Sequence, residues 1–178
     1  MQGHDWPSIV RDHGPAVWQT AYRLLANHSD AADCFQETFL AAFEIAGREP
    51  VRNIAGLLVR LATTRAIDRL RQRSRLEQRQ TDAIERQPPD DEPDPLERAH
   101  TNELASQLTE QISRLPPQEA RVFCLRYLND MSYRQIAREL NIAVSMVGVS
   151  LYRAKARLRA ALADTQTQHN EVSHANKT

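Results

Sequence analysis

Apolar residues recur at helical spacing along most of this chain, and strand-like alternation is scarce. Val10, Val17, Trp18, Tyr22, Leu24 and Leu25 supply the contacts of a first predicted helix over 8–26, which Asn27-His28-Ser29 breaks. Phe35, Phe39 and Phe43 recur every four residues along a second, which Asp30 can cap and which runs to about residue 46. A loop follows over 47–53. Leu57, Leu58, Leu61, Ile67 and Leu70 then face inward on a long helix over 54–79. A further helix is predicted over 96–115. Pro116-Pro117 stops it and suits the first turn of the next, 118–128, which turns Val122, Phe123, Leu125 and Leu128 to the core.

The stretch 132–162 carries the most specific pattern. Ser132 is a good N-cap, and Gln135 three residues on completes a capping box. Ile136, Ala137 and Leu140 form the buried stripe of a short helix, and Asn141 tolerates the left-handed turn that must follow. A longer helix begins near Val144 or Ser145, with Val147, Leu151, Ala154 and Leu158 as its stripe. Arg153, Lys155, Arg157 and Arg159 occupy its second half, and no acid lies between Asn141 and Ala163. This is the layout of a helix-turn-helix, whose second helix enters the major groove. Two packed core helices with a solvated basic face would share the periodicity. The tight turn and the cations on the groove-facing helix favour DNA.

Charge changes the picture only once it is located. Net charge is zero. Residues 1–86 carry 12 basic and 11 acidic groups, 87–95 none and four, 96–163 ten and six, and the tail from 164 one and two. Neutrality overall does not exclude nucleic acid, because the local patch decides. Seven arginines lie between Arg60 and Arg79 against Asp68 and Glu77, a stripe suited to phosphate. The segment 87–95 (Q-P-P-D-D-E-P-D-P) reads as an acidic linker, since its prolines cannot continue a helix and it holds no apolar residue to pack. The expected fold is all-α: two small helical domains, 1–86 and 96–163, joined by that linker and followed by a polar, disordered tail over 164–178. No run is long enough to span a membrane, and no signal peptide is expected from M-Q-G-H-D-W-P. Cys34 and Cys124 read as reduced, buried thiols of a cytoplasmic protein. No metal-ligand spacing, nucleophile–base pair or glycine-rich phosphate loop stands out, so neither an enzyme nor a cofactor is expected.

Two separated segments together resemble the extracytoplasmic-function (ECF) sigma factors of the sigma-70 superfamily. The front segment, D-x-x-D-C-F-Q-E-T-F-L-A-A-F at 30–43 with L-L-V-R-L-A-T-T-R-A-I-D-R-L-R-Q-R at 57–73, is similar to sigma domain two. The rear segment, L-P-P-Q-E-A-R-V-F-C-L-R-Y-L at 115–128, S-Y-R-Q-I-A-R-E-L-N-I at 132–142 and R-A-K-A-R-L at 153–158, is similar to sigma domain four. The resemblance implies a subunit that binds bacterial RNA polymerase core and directs it to promoter DNA. A helix-turn-helix repressor or activator acting alone would account for the rear segment and leave the front one unexplained.

By that resemblance Asp33, Gln36, Glu37, Phe39 and Leu40 dock on polymerase, while the four-residue stripe by itself reads Phe39 as core. Arg52, Asn53, Thr64, Arg65, Asp68, Arg69 and Arg71 hold the opened −10 element, where a melted strand needs cations on its phosphates and a pocket for an unstacked base. The residues alone offer Asp68 another task, pairing with a neighbouring arginine. Ser145, Met146, Gly148, Val149, Ser150, Tyr152, Arg153 and Lys155 form the exposed set that reads the −35 duplex, Arg153 and Lys155 as phosphate contacts. An anti-sigma partner is also implied. The chain departs from the family at Gly148, where a basic residue is frequent, and at Ala143, where a capping Ser or Thr is common. How the two domains sit against each other is left open by the sequence.

Overall fold

A computed structural model describes residues 5–80 and 97–175, with side chains described over 5–76 and 104–163. The described residues form α1 (Trp6–Leu25), α2 (His28–Arg48), α3 (Ile54–Gln80), α4 (Glu97–Arg114), α5 (Pro117–Tyr127), α6 (Tyr133–Leu140) and α7 (Val144–Ala175). No strand occurs among them. The expected linker at 87–95 lies outside the described residues.

Local chemistry sets several helix ends. The capping box at α6 forms, with Ser132 Oγ accepting from the Gln135 N–H and Gln135 Oε1 accepting from the Ser132 N–H. Asn141 takes the left-handed conformation expected of it (φ 52°, ψ 49°) and closes α6. Two expectations are corrected. The cap of α2 is Asn27, whose side chain accepts from the Asp30 N–H, so the helix starts before Asp30. The tail from 164 is not structureless: α7 continues to Ala175. That segment holds no Gly or Pro, and extending a helix already nucleated is far easier than starting one.

The core explains why α3 is central. Leu57, Leu58, Leu61 and Ala62 of α3 pack with Val17 of α1 and Phe39 and Ala42 of α2. Val122, Leu125, Met131, Ile136, Ala137, Val147 and Leu151 form a second cluster in the rear half, and Val59 of α3 packs against it. The third cluster belongs to both halves. It joins Ala21, Leu24, Leu25, Cys34, Ala66, Ile67 and Leu70 to Ile112, Leu115, Ala120, Cys124, Ala154 and Leu158. The two halves therefore lie against each other along α3. Polar contacts cross the same seam: Thr20 Oγ1 to Asn129 Oδ1 (2.6 Å), and an Arg23 guanidinium N–H donating to the Leu128 carbonyl (3.0 Å).

The phenylalanine stripe of α2 is only partly core. Phe39 is buried and Phe35 half-buried, but Phe43 is 58% exposed and meets the Trp6 ring edge-on at 5.3 Å. Each step of four turns 400°, so the stripe drifts about 40° per step and its third member leaves the core. Val10 and Tyr22 of α1, expected as core contacts, are also exposed. The buried stripe of α1 runs through Val17, Ala21, Leu24 and Leu25 instead.

Candidate nucleic-acid and partner interfaces

Asp30, Asp33 and Glu37 fall at i, i+3 and i+7 on α2, one face of the helix. Arg69 of α3 reaches all three: 2.7 Å to Glu37 as a charge-assisted hydrogen bond, 3.8 Å to Asp33 and 3.9 Å to Asp30. Arg65 lies 3.8 Å from the other Glu37 oxygen. Two expected groups are thus one network, acids assigned to docking and arginines assigned to DNA. Gln36 and Leu40 are exposed on the same helix, Leu40 at 64%. Phe39 is not on that surface. It is a core side chain clustered with Leu57, Leu58 and Leu61, as the four-residue stripe of α2 predicts and against the docking place that the resemblance implied.

The start of α3 and the loop before it are similarly occupied. Asn53 Oδ1 accepts from the Gly56 N–H, the local bond of a helix start, and Asn53 Nδ2 donates to Glu139 Oε1 of α6 at 2.7 Å. Gly56 leaves room for this approach, since a Cβ there would push aside the amide end of Asn53 and the carboxylate end of Glu139. Arg52 is exposed. Thr64 turns its hydroxyl back to the Arg60 carbonyl, 2.9 Å away. Asp68 lies 3.8 Å from Arg71, the pairing its position had suggested. Arg71 itself is bound in the seam, its guanidinium donating to the Ser113 carbonyl at 3.2 Å and the Leu115 carbonyl at 2.8 Å. Burial holds its pKa below the usual guanidinium range, with Asp68 opposing. In this arrangement Arg71 is a seam residue and presents no free fork to phosphate.

The face of α7 is different. Ser145, Met146, Val149, Tyr152, Arg153 and Lys155 are exposed, Tyr152 at 76%. Gly148 is half-buried, and a Cβ there would meet only the Tyr133 ring, at an ordinary 3.9 Å. Ser150 is a correction: it is 4% exposed, and its hydroxyl accepts from Gln118 Nε2 at 3.1 Å, because position 150 adjoins the Val147–Leu151 stripe. Lys155 Nζ stands 5.8 Å from the Tyr127 ring centroid, a cation–π contact that leaves its charge outward. Arg157 reaches the buried Glu119 carboxylate at 3.2 Å as an ion pair.

Sequence reasoning missed Glu139, Asn129 and the carbonyls of Ser113 and Leu115. Each acts on a residue more than forty positions away. No local signal marks such partners, although a glycine at position 56, inside a predicted helix, hinted at close approach. Both thiols are buried in the shared cluster, as expected, and are free. Burial pushes Cys34 up, with Arg69 opposing, and pushes Cys124 up to about 12.

Against this geometry the comparisons are decisive. Sigma-70 region 2 matches residues 9–76, and Sigma-70, region 4 matches residues 105–158, together well over half of the chain. The chain belongs to the sigma-70 family. Within it, the ECF group is the one it resembles. It is 29% identical over 158 residues to the ECF RNA polymerase sigma factor SigE of Mycolicibacterium smegmatis, spanning 89% of this chain and 62% of that protein. It is 29% identical over 164 residues to the ECF RNA polymerase sigma factor SigW of Bacillus subtilis, 88% of each. Its fold is similar to that of the sigma factor RpoE of Bartonella quintana, solved in complex with the anti-sigma factor NepR (TM-score 0.56, 20% identity, 90% of this chain and 98% of that one). In this sigma factor, region 2 comprises most of α1–α3 and region 4 most of α4–α7. Among its described residues no helix is long and apolar enough to cross a membrane.

Proposed function

We propose that this chain binds bacterial RNA polymerase core and directs promoter-specific initiation, working in the cytoplasm without catalytic chemistry of its own. The observation that carries this is the pairing of region 2 and region 4 in one chain. A free helix-turn-helix regulator has no use for the first. Asp33, Gln36, Glu37 and Leu40 are the docking surface on α2. Arg52, Asn53, Thr64, Arg65, Asp68 and Arg69 form the −10 surface. Asn53 is held by Glu139 of the rear half, a contact that opens when polymerase separates the halves to promoter spacing, whereas Arg65 and Arg69 stay paired with carboxylates of α2 in their own half and meet a strand only by exchanging those partners. Ser145, Met146, Gly148, Val149, Tyr152, Arg153 and Lys155 address the −35 duplex, and Arg71 and Ser150 drop out of the DNA set. Each half alone binds duplex weakly, and polymerase makes them useful by raising effective concentration. An anti-sigma protein is a further partner, as for the Bartonella quintana relative.

Run-off transcription with bacterial core polymerase on a library of upstream fragments tests this. Discrete starts that require the protein support it. Absence of initiation, with discrete duplex binding by the protein alone, overturns it in favour of a regulator that acts by itself.

A further inference from the structure

The exposed start of α7 is chemically unusual for a helix that reads DNA. Residues 144–152 (V-S-M-V-G-V-S-L-Y) contain no charged side chain and no amide. The residue types that read guanine by two hydrogen bonds, Arg and Lys, or adenine, Asn and Gln, are missing from this stretch. Its outward face instead holds apolar groups that a free protein has reason to bury: Met146 is 43% exposed, Val149 40% and Tyr152 76%. Burying them against a partner is worth far more than leaving them in water. The first cation is Arg153, two turns into the helix, and Lys155 follows it.

Gly148 lies on the same face, between Ser145 and Tyr152. A glycine inside a helix weakens it relative to almost any other residue. The backbone does not require it, since Gly148 has no positive φ. Packing does not require it either, because a Cβ would meet the Tyr133 ring at 3.9 Å, ordinary contact. A glycine without an internal reason marks a place where something outside approaches the backbone closely.

We infer that this face reads thymine 5-methyl groups in the upstream duplex, with Met146 and Val149 as the specificity-determining contacts and Gly148 admitting the groove edge to the helix backbone. A thymine methyl is the one apolar feature that the major groove offers, and apolar side chains are its partners. Arg153 and Lys155, further along the helix, hold phosphate and set affinity without sequence. Specificity at these positions is therefore for A·T pairs and is carried by methyl burial, with Ser145 as the hydroxyl donor or acceptor beside it. The inference rests on the proposed reading of −35 duplex by α7.

The test uses the full chain with bacterial core polymerase. Upstream duplexes that support initiation are selected from a randomised library, and each thymine of the best is replaced by deoxyuridine, which removes only the methyl. At subsaturating protein, one or more upstream thymines should lose about three- to fourfold in initiation on losing that methyl. Val149→Ala or Met146→Ala should abolish that sensitivity, and both positions are exposed, so folding is retained. Gly148→Ala should raise thermal stability while weakening use of the selected duplex, opposite signs that a structural role would not produce. Tolerance of deoxyuridine at every upstream position, or unchanged sensitivity in both variants, overturns the inference and leaves the proposed function standing. Initiation that needs no upstream duplex overturns the −35 reading and the inference with it.

Discussion

The two surfaces assigned to DNA are prepared in opposite ways. Along α3 the polar groups are engaged inside the chain: Arg69 by three carboxylates of α2, Arg71 by two carbonyls of the α4–α5 junction, Asn53 by Glu139. Along α7 the face is open, with Arg153 and Tyr152 exposed and apolar residues beside them. An arginine stripe is an electrostatic footprint only where its charge is not already neutralised, and a neutral stretch can be a reading face. The α3 surface must exchange partners to meet a strand. The α7 surface need only meet a groove.

The largest effect that would break this contrast lies at Arg71. Arg71→Ala should lower the stability of the free protein by about 1–3 kcal/mol, because it leaves two carbonyls in the seam without donors. Urea unfolding measures it, and an unchanged midpoint would return Arg71 to the DNA surface. Next is the start of α3. Asn53→Ala removes a helix cap as well as the contact to α6 and should cost about 1 kcal/mol. Glu139→Ala removes only the contact, exposed in the structure, and should cost a few tenths by the same measurement. Equal losses would place the energy in the seam rather than the cap.

A smaller effect sharpens the comparison on DNA itself. With polymerase and a selected promoter, Arg153→Ala should lower the slope of log affinity against log salt by about 0.9, one phosphate contact. Arg69→Ala should lower it by less than half as much, since three carboxylates already surround that charge. Equal slopes would mean that α2 releases its arginine fully when DNA arrives.

The last effect concerns pH. Cys124 has its pKa pushed up to about 12 by burial, from an ordinary value of 9.0. The folded state thus keeps its proton where the unfolded state loses it. Stability is unaffected below pH 9 and falls as pH rises from there toward 12. Cys124→Ala should flatten that fall in pH-dependent unfolding, and an unchanged slope would assign it to other groups.

Much of this protein is determined by local sequence. The capping box at Ser132 and Gln135, the left-handed Asn141 and the Val147–Leu158 stripe follow from interactions within a few residues, so they could be read before any fold was known. Two motifs far apart in the chain were enough to point to the family, since each is a local pattern. Only the tertiary structure decided what neighbouring elements take from those residues. It seated Ser150 inside, against Gln118 of α5. It closed α3 against the rear half, giving Arg71 and Asn53 partners that no local pattern marks. The physical reason is range. Capping and periodicity act over one or two helical turns, whereas the availability of a charge depends on every element packed beside it.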